Sequence, residues 1–113
     1  MTASVDRVLA ALADPHRRRV VELLSERPRP AGQLAREVGL SPPAMSRHLR
    51  ALREARVIVE TRPEEQASYD ARVRVYALRP EGMAQLKDWL KRAERLWSDQ
   101  LAAFKRHLER DGG

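Results

Sequence analysis

At 113 residues the chain has the length of one domain, and its formal net charge of +6 favours a polyanionic partner. The absence of cysteine excludes disulfides, thiolate metal sites and cysteine nucleophiles. No apolar stretch approaches the roughly 20 residues of a membrane span, and the N-terminus lacks a signal peptide's apolar core, so a soluble cytoplasmic protein is expected.

In chain order, Val5, Val8, Leu9 and Leu12 have helical spacing, giving a first helix over residues 5–13. Asp14-Pro15 interrupts it: Asp14 suits an N-cap and Pro15 a first helical position, so a second helix runs on through Val20, Val21, Leu23 and Leu24. Residues 25–29 read as a polar loop, and a third helix begins near Pro30 or Ala31. Within it Leu34 and Val38 share one face, and Ala35 keeps that face slim. Gly39 can take positive φ and end the helix. Ser41 and Pro42 then start a fourth helix almost at once. Its core face reads Met45, Leu49 and Leu52, leaving Pro43, Ser46, Arg47 and Arg50 to solvent. Two helices joined by a short glycine-containing turn, the second with a basic outer face, describe a helix-turn-helix over residues 30–55.

Beyond residue 55 the period changes. Val57, Val59 and Thr61 alternate with Ile58, Glu60 and Arg62, and residues 72–78 (RVRVYAL) alternate more cleanly, so a two-stranded hairpin is expected over residues 57–78. A hairpin directly after a reading helix is a wing. From Pro80 to about residue 109 the chain is helical again, roughly 45 Å at 1.5 Å per residue. Leu86, Leu90, Ala93, Trp97, Leu101, Phe104 and Leu108 form one stripe along it. So long a helix overshoots a domain of this size, and its far apolar end most simply meets a second copy. The fold expected is mainly α with a small β-hairpin: a winged helix-turn-helix of about five helices, in one domain over residues 1–113.

Three segments carry a family resemblance: ALADPHRRRVVELL (Ala11–Leu24), QLAREVGLSPPAMSRHLRALREARVI (Gln33–Ile58) and VRVYAL (Val73–Leu78). With them the chain resembles the ArsR family of dimeric winged-helix transcriptional regulators over nearly its whole length, in a cysteine-free branch. The resemblance implies a repressor on a palindromic operator of double-stranded DNA, each subunit placing residues 41–55 in a major groove. It also implies a homodimer formed by the first and last helices, through Val5, Val8 and Leu12 and through Leu90, Ala93, Trp97, Leu101, Phe104 and Leu108. Relatives often release DNA on binding a metal or another inducer. Here the family's cysteine box is missing, and the last helix offers His107 with Asp88, Glu94, Asp99 and Glu109 scattered around it, not a convergent set of ligands. No metal and no cofactor are expected. An inducer, if any, is a small molecule or a partner protein.

For DNA contact, Ser41 and the free amides of the fourth helix's first turn suit a phosphate. Ser46 and Arg47 stand at the depth of base edges, and Arg47 suits a bidentate contact to guanine. Arg50 and Arg53 are placed for backbone contact. Pro42 replaces a polar contact, Pro43 offers only an apolar one, and Gln33 opens the motif. His48 has two readings, an imidazole packed at the helix edge or a phosphate or base contact; His16, at a helix start, reads as structural. Arg62, Arg72 and Arg74 can follow the DNA from the base of the wing, whereas Glu64, Glu65 and Asp70 at its tip would be repelled. That acidic loop and Pro42 motivate the alternative, a winged helix kept for protein or RNA contact. No Ser/His/Asp grouping, paired carboxylates, phosphate-cradling glycine loop or cofactor fingerprint is present, so an enzyme is not expected.

Overall fold

The computed structural model describes residues 3–61 and 73–112. They run α1 (Ala3–Ala11), α2 (Pro15–Glu26), β1 (Arg29–Pro30), α3 (Ala31–Val38), α4 (Pro42–Glu54), β2 (Ile58–Thr61), β3 (Val75–Leu78) and α5 (Pro80–Gly112). This is a winged helix-turn-helix with the helices in the expected order; α1 starts and ends two residues earlier than the periodicity suggests, and α5 extends slightly further, to Gly112.

Local chemistry sets the junctions. Asp14 caps α2, its Oδ1 accepting from the amides of His16 at 2.8 Å and Arg17 at 3.2 Å. Arg18 turns back from the same helix and donates to the carbonyls of Leu12 and Ala13, closing the segment after α1. The run of residues 14–18 is therefore a two-sided clasp between α1 and α2. Gly39 ends α3 at φ 82°, and both its amide and that of Leu40 donate to the Ala35 carbonyl at 2.9 Å. Ser41 caps α4 by accepting from the Ala44 amide.

The sheet corrects the sequence reading. The wing is not an isolated pair: β1 joins β3, giving the order β1-β3-β2, all antiparallel. Arg29 stands opposite Tyr76 and Pro30 opposite Val75, within what the pattern assigned to a loop and a helix start. The physical reason lies in residues 27–30, Arg-Pro-Arg-Pro. Each proline fixes its own φ and drives the residue before it into extended conformation, and an edge strand tolerates the missing amides. β3 begins only at Val75, after the expected Val73 and Arg74, and burial does not simply alternate. Val57 and Ile58 are both buried while Val59 is exposed, and the adjacent Val75 and Tyr76 are both buried on the central strand.

The core collects Val8 and Ala11 from α1, Val20, Leu23 and Leu24 from α2, Leu34 and Ala35 from α3, and Met45, Leu49 and Leu52 from α4. Val57, Ile58 and Tyr76 close it from the sheet side. Val8 is fully buried here, with 0% exposure. It was expected at a dimer interface; α1 packs instead on its own α5, so Val8 has no surface left for a second copy. Val5 and Leu12 are half-buried, Leu12 against the protomer's own core. Met83 and Leu86 dock the first turns of α5 on the same core. Beyond them the helix leaves the body, and the molecule measures 69 × 30 × 23 Å. No helix of the described residues is long and apolar enough to cross a membrane.

Candidate nucleic-acid interface

The reading helix α4 is anchored by Met45, Leu49 and Leu52, each at most 2% exposed. That anchoring turns Pro42, Pro43, Ser46, Arg47, Arg50 and Arg53 outward. Among the described residues Arg47 makes no hydrogen bond or ion pair, so its guanidinium is available to a base edge. Arg50 Nε donates to Glu54 Oε1 at 3.1 Å, both side chains well exposed. Such an i,i+4 pair is worth only about 0.3–0.5 kcal/mol, so a phosphate can displace it at little cost. Arg53 lies 3.5 Å from Glu60 Oε2, and Arg74 reaches Glu60 Oε1 at 4.0 Å. Glu60, on the first wing strand, thus partly neutralises two expected DNA contacts. Arg62 and Arg72 lie outside the described residues.

The start of α4 departs from expectation. Pro42 and Pro43 fill its first two positions and carry no amide hydrogen, and the next amide, on Ala44, is taken by Ser41 Oγ at 3.3 Å. The first turn therefore has no free N–H to offer a phosphate. What remains there is the hydroxyl hydrogen and the own amide of Ser41, at the cap, and two exposed proline rings. Gln33, half-buried on α3, commits its amide to Glu37 Oε1 at 2.7 Å.

His48 turns toward α2. Its Nδ1 accepts from Arg17 Nε at 3.1 Å, and its ring lies 5.6 Å from that of His16, tilted by 44°. This is the packed reading, with a side-chain partner rather than backbone. Burial is the main cause holding the His48 imidazole below its ordinary pKa, with the charges of Arg17, His16 and Arg47 adding to it and Asp14 opposing. Burial would raise the Asp14 carboxyl, but the amides of Arg17 and His16 and the charges of His48 and Arg17 outweigh it, and its pKa is lowered. Donor atoms of Asp14, His16 and His48 lie within 4.8 Å of one another, a cluster away from the last helix and brought together only by the packing of α2 against α4. Hydrogen bonds already engage Asp14 Oδ1 and His48 Nδ1, and a guanidinium stands among them. This setting favours a neutral imidazole over a bound dication.

Sequence reasoning also missed Arg29, only 4% exposed, which ion-pairs with Glu26 and Glu37 while its Nε is left without a partner. The pair locks β1 to the end of α2 and to α3. The Gln33 hydrogen bond, ahead of the opposing effect of burial and the charge of Arg29, lowers the Glu37 pKa. A buried arginine leaves no periodic signal, but the prolines on either side of Arg29 mark the backbone that buries it.

Residues 14–59, which hold the Asp14 cap, both motif helices and the start of β2, match the family model described as "Bacterial regulatory protein, arsR family". The HTH-type transcriptional regulator Rv2034 of Mycobacterium tuberculosis is 38% identical over 109 residues, spanning 96% of this chain and 92% of that one. The chain belongs to the ArsR family. Another relative is the transcriptional repressor SdpR of Bacillus subtilis, 36% identical over 58 residues, 51% of this chain and 64% of SdpR. Among solved structures, a Mycobacterium bovis fragment is described as a homodimeric winged helix-turn-helix DNA-binding domain of a possible ArsR-family regulator. It superposes with a TM-score of 0.63 at 21% identity, over 83% of this chain and 81% of the fragment, a likeness of fold. As an ArsR-family member with this basic reading helix, the protein is a DNA-binding transcriptional regulator.

Proposed function

We propose that the regulator is a sequence-specific homodimeric repressor that binds a palindromic operator in the cytoplasm and acts by binding rather than catalysis. The observation that carries this reading is the α5 face that the protomer leaves uncovered. Trp97 is 65% exposed, Leu96 68% and Phe104 60%, with Leu90, Leu101 and Leu108 also about half exposed. Burying one such side chain contributes about 1.5–3 kcal/mol, and a second copy of the same helix supplies a matching face. Half-buried Val5 and Leu12 on the α1 side can extend it. The homodimer described for the M. bovis fragment and the repressor name of SdpR support the same reading. Two copies then present two α4 helices, with Arg47 and Ser46 toward base edges and Arg50, Arg53 and Arg74 toward phosphates.

Selection of bound duplexes from random DNA tests this directly. An inverted repeat with half-sites about one helical turn apart, 10–10.5 base pairs, is expected. Binding to the recovered sequence should also fall steeply with salt, as several phosphate contacts per subunit require. Enrichment of an unrepeated site, or a flat salt dependence, would overturn the proposal and favour a protein or RNA partner.

A further inference from the structure

A cleft of about 580 Å3 opens between α1, α2 and α4. Alanines form its apolar surface: Ala10 and Ala11 from α1, Ala51 from α4 and Ala55 at its C-cap. Their small side chains are what leave the space, which falls within the 300–1,000 Å3 usual for small-molecule sites. Arg7, Arg17 and Glu54 supply its charges. Glu54 is engaged by Arg50. Arg7 makes no hydrogen bond or ion pair with any described residue, and Arg17 uses its Nε alone, toward His48. The cleft thus offers two guanidiniums with donors to spare above a small apolar floor. We propose that it is an effector site for a compact organic monocarboxylate, whose charge engages Arg7 and Arg17 and whose apolar body covers the alanines.

The site connects to DNA reading through two features. Ala51 lies on α4 four residues after Arg47 and Ala55 caps that helix, so an occupant touches the reading helix itself. Arg17 is also the hydrogen-bond donor that ties His48, and with it α4, to α2. A carboxylate that takes the remaining donors of Arg17 competes with His48 for the same guanidinium, loosens that tie and weakens operator binding. By reciprocity, bound operator weakens the ligand by the same factor. This coupling rests on the operator-binding reading; occupancy of the cleft does not, and is measured without DNA.

The full-length protein is titrated with 2-naphthoate, and with uncharged 2-naphthamide as a control of similar shape, by amide NMR. The acid is expected to bind at least tenfold more tightly, with shifts centred on Ala10, Ala11, Ala51 and Ala55. Arg7→Gln combined with Arg17→Gln should erase the preference for the acid. Ala10→Trp, at an exposed position that needs no core space, should fill the cleft and block both probes. Saturating 2-naphthoate should then weaken operator binding at least fivefold in the natural protein and leave Ala10→Trp unaffected. Equal binding of acid and amide, or shifts centred on the α5 stripe, would overturn the site. Intact binding with no change in operator affinity would overturn the coupling alone. If Arg7→Gln by itself weakens operator binding and flattens its salt dependence, the cleft receives a DNA phosphate and the proposal fails.

Discussion

Arg47 and Arg50 are one helical turn apart on α4 but are held differently, and the difference assigns their roles. Among the described residues Arg47 has no acidic partner near the middle of the outer face, whereas Arg50 lies against Glu54, toward the end of the helix. Arg47→Ala is therefore expected to relax discrimination at one base pair per half-site by about 1–3 kcal/mol, while Arg50→Ala weakens all sequences alike and lowers the salt slope by about one per subunit. Competition assays across single-base variants of the selected operator separate the two; equal losses on every sequence for both variants would remove Arg47 as a base reader. His48 makes a different prediction, about stability. Its folded pKa lies below its ordinary value, so the folded state binds fewer protons than the unfolded chain as pH falls below about 6.5. Stability is fully present above that pH and declines as the solution is acidified toward the folded pKa. Denaturant midpoints measured from pH 7.5 to 5 should show this decline, and His48→Gln should flatten it; an unchanged slope in the variant would assign the proton uptake elsewhere.

At the scale of elements, the joint between the wing and α5 depends on one residue without a side chain. A Cβ at Gly82 would fall on the Arg56 carbonyl oxygen, well inside contact distance, and 3.3 Å from Val57 Cα. Arg56 itself adopts φ 60° to make the bend, and the Arg79 amide donates to the Val57 carbonyl at 2.8 Å. In a free helix, Gly→Ala gains up to about 1 kcal/mol. Here the obstacle is backbone and cannot swing aside, so overpacking of about 1–3 kcal/mol should win. A lowered melting temperature for Gly82→Ala is the expected result, and a raised one would show that α5 rides more loosely. This joint was not legible in the sequence, where Gly82 looks like any glycine near a helix start. What was legible is what local rules specify: the Asp14 and Ser41 caps, the Gly39 turn, the α4 core face. The outward face of α4 follows from that face by helical geometry alone. What was missed depends on partners distant in the chain: β1 needs β3 to be a strand, Arg29 needs Glu26 and Glu37 to be buried, and His48 needs Arg17, 31 residues away, to turn inward. The first turn of α4 is the exception, since its lack of free amides was already written in Pro42 and Pro43.

At the scale of the whole molecule, a body some 30 Å across carries a helix of 33 residues, about 50 Å long. Its first turns complete the core, and every described residue from Glu94 to Arg110 is exposed in the protomer. An isolated helix of that length carrying Leu96, Trp97, Leu101, Phe104 and Leu108 has no reason to keep those side chains in water, because a partner helix removes them at no further backbone cost. Val8 is taken up by the protomer's own core, so among the described residues the broad apolar surface left for a partner is the α5 stripe. The test is a charge in the middle of the stripe. Trp97→Glu leaves the protomer's own core untouched, since Trp97 does not belong to it, so the melting behaviour of the body and its α4 should persist. The dimer, in contrast, should lose about 2–4 kcal/mol, a factor of roughly 30 to 1,000 in its dissociation constant. Sedimentation equilibrium is expected to show monomers at micromolar concentration, and operator binding should fall with them while contacts to a single half-site survive. A variant that sediments as an intact dimer would move the interface off α5, and a monomer that binds the full operator undiminished would break the link between pairing and recognition.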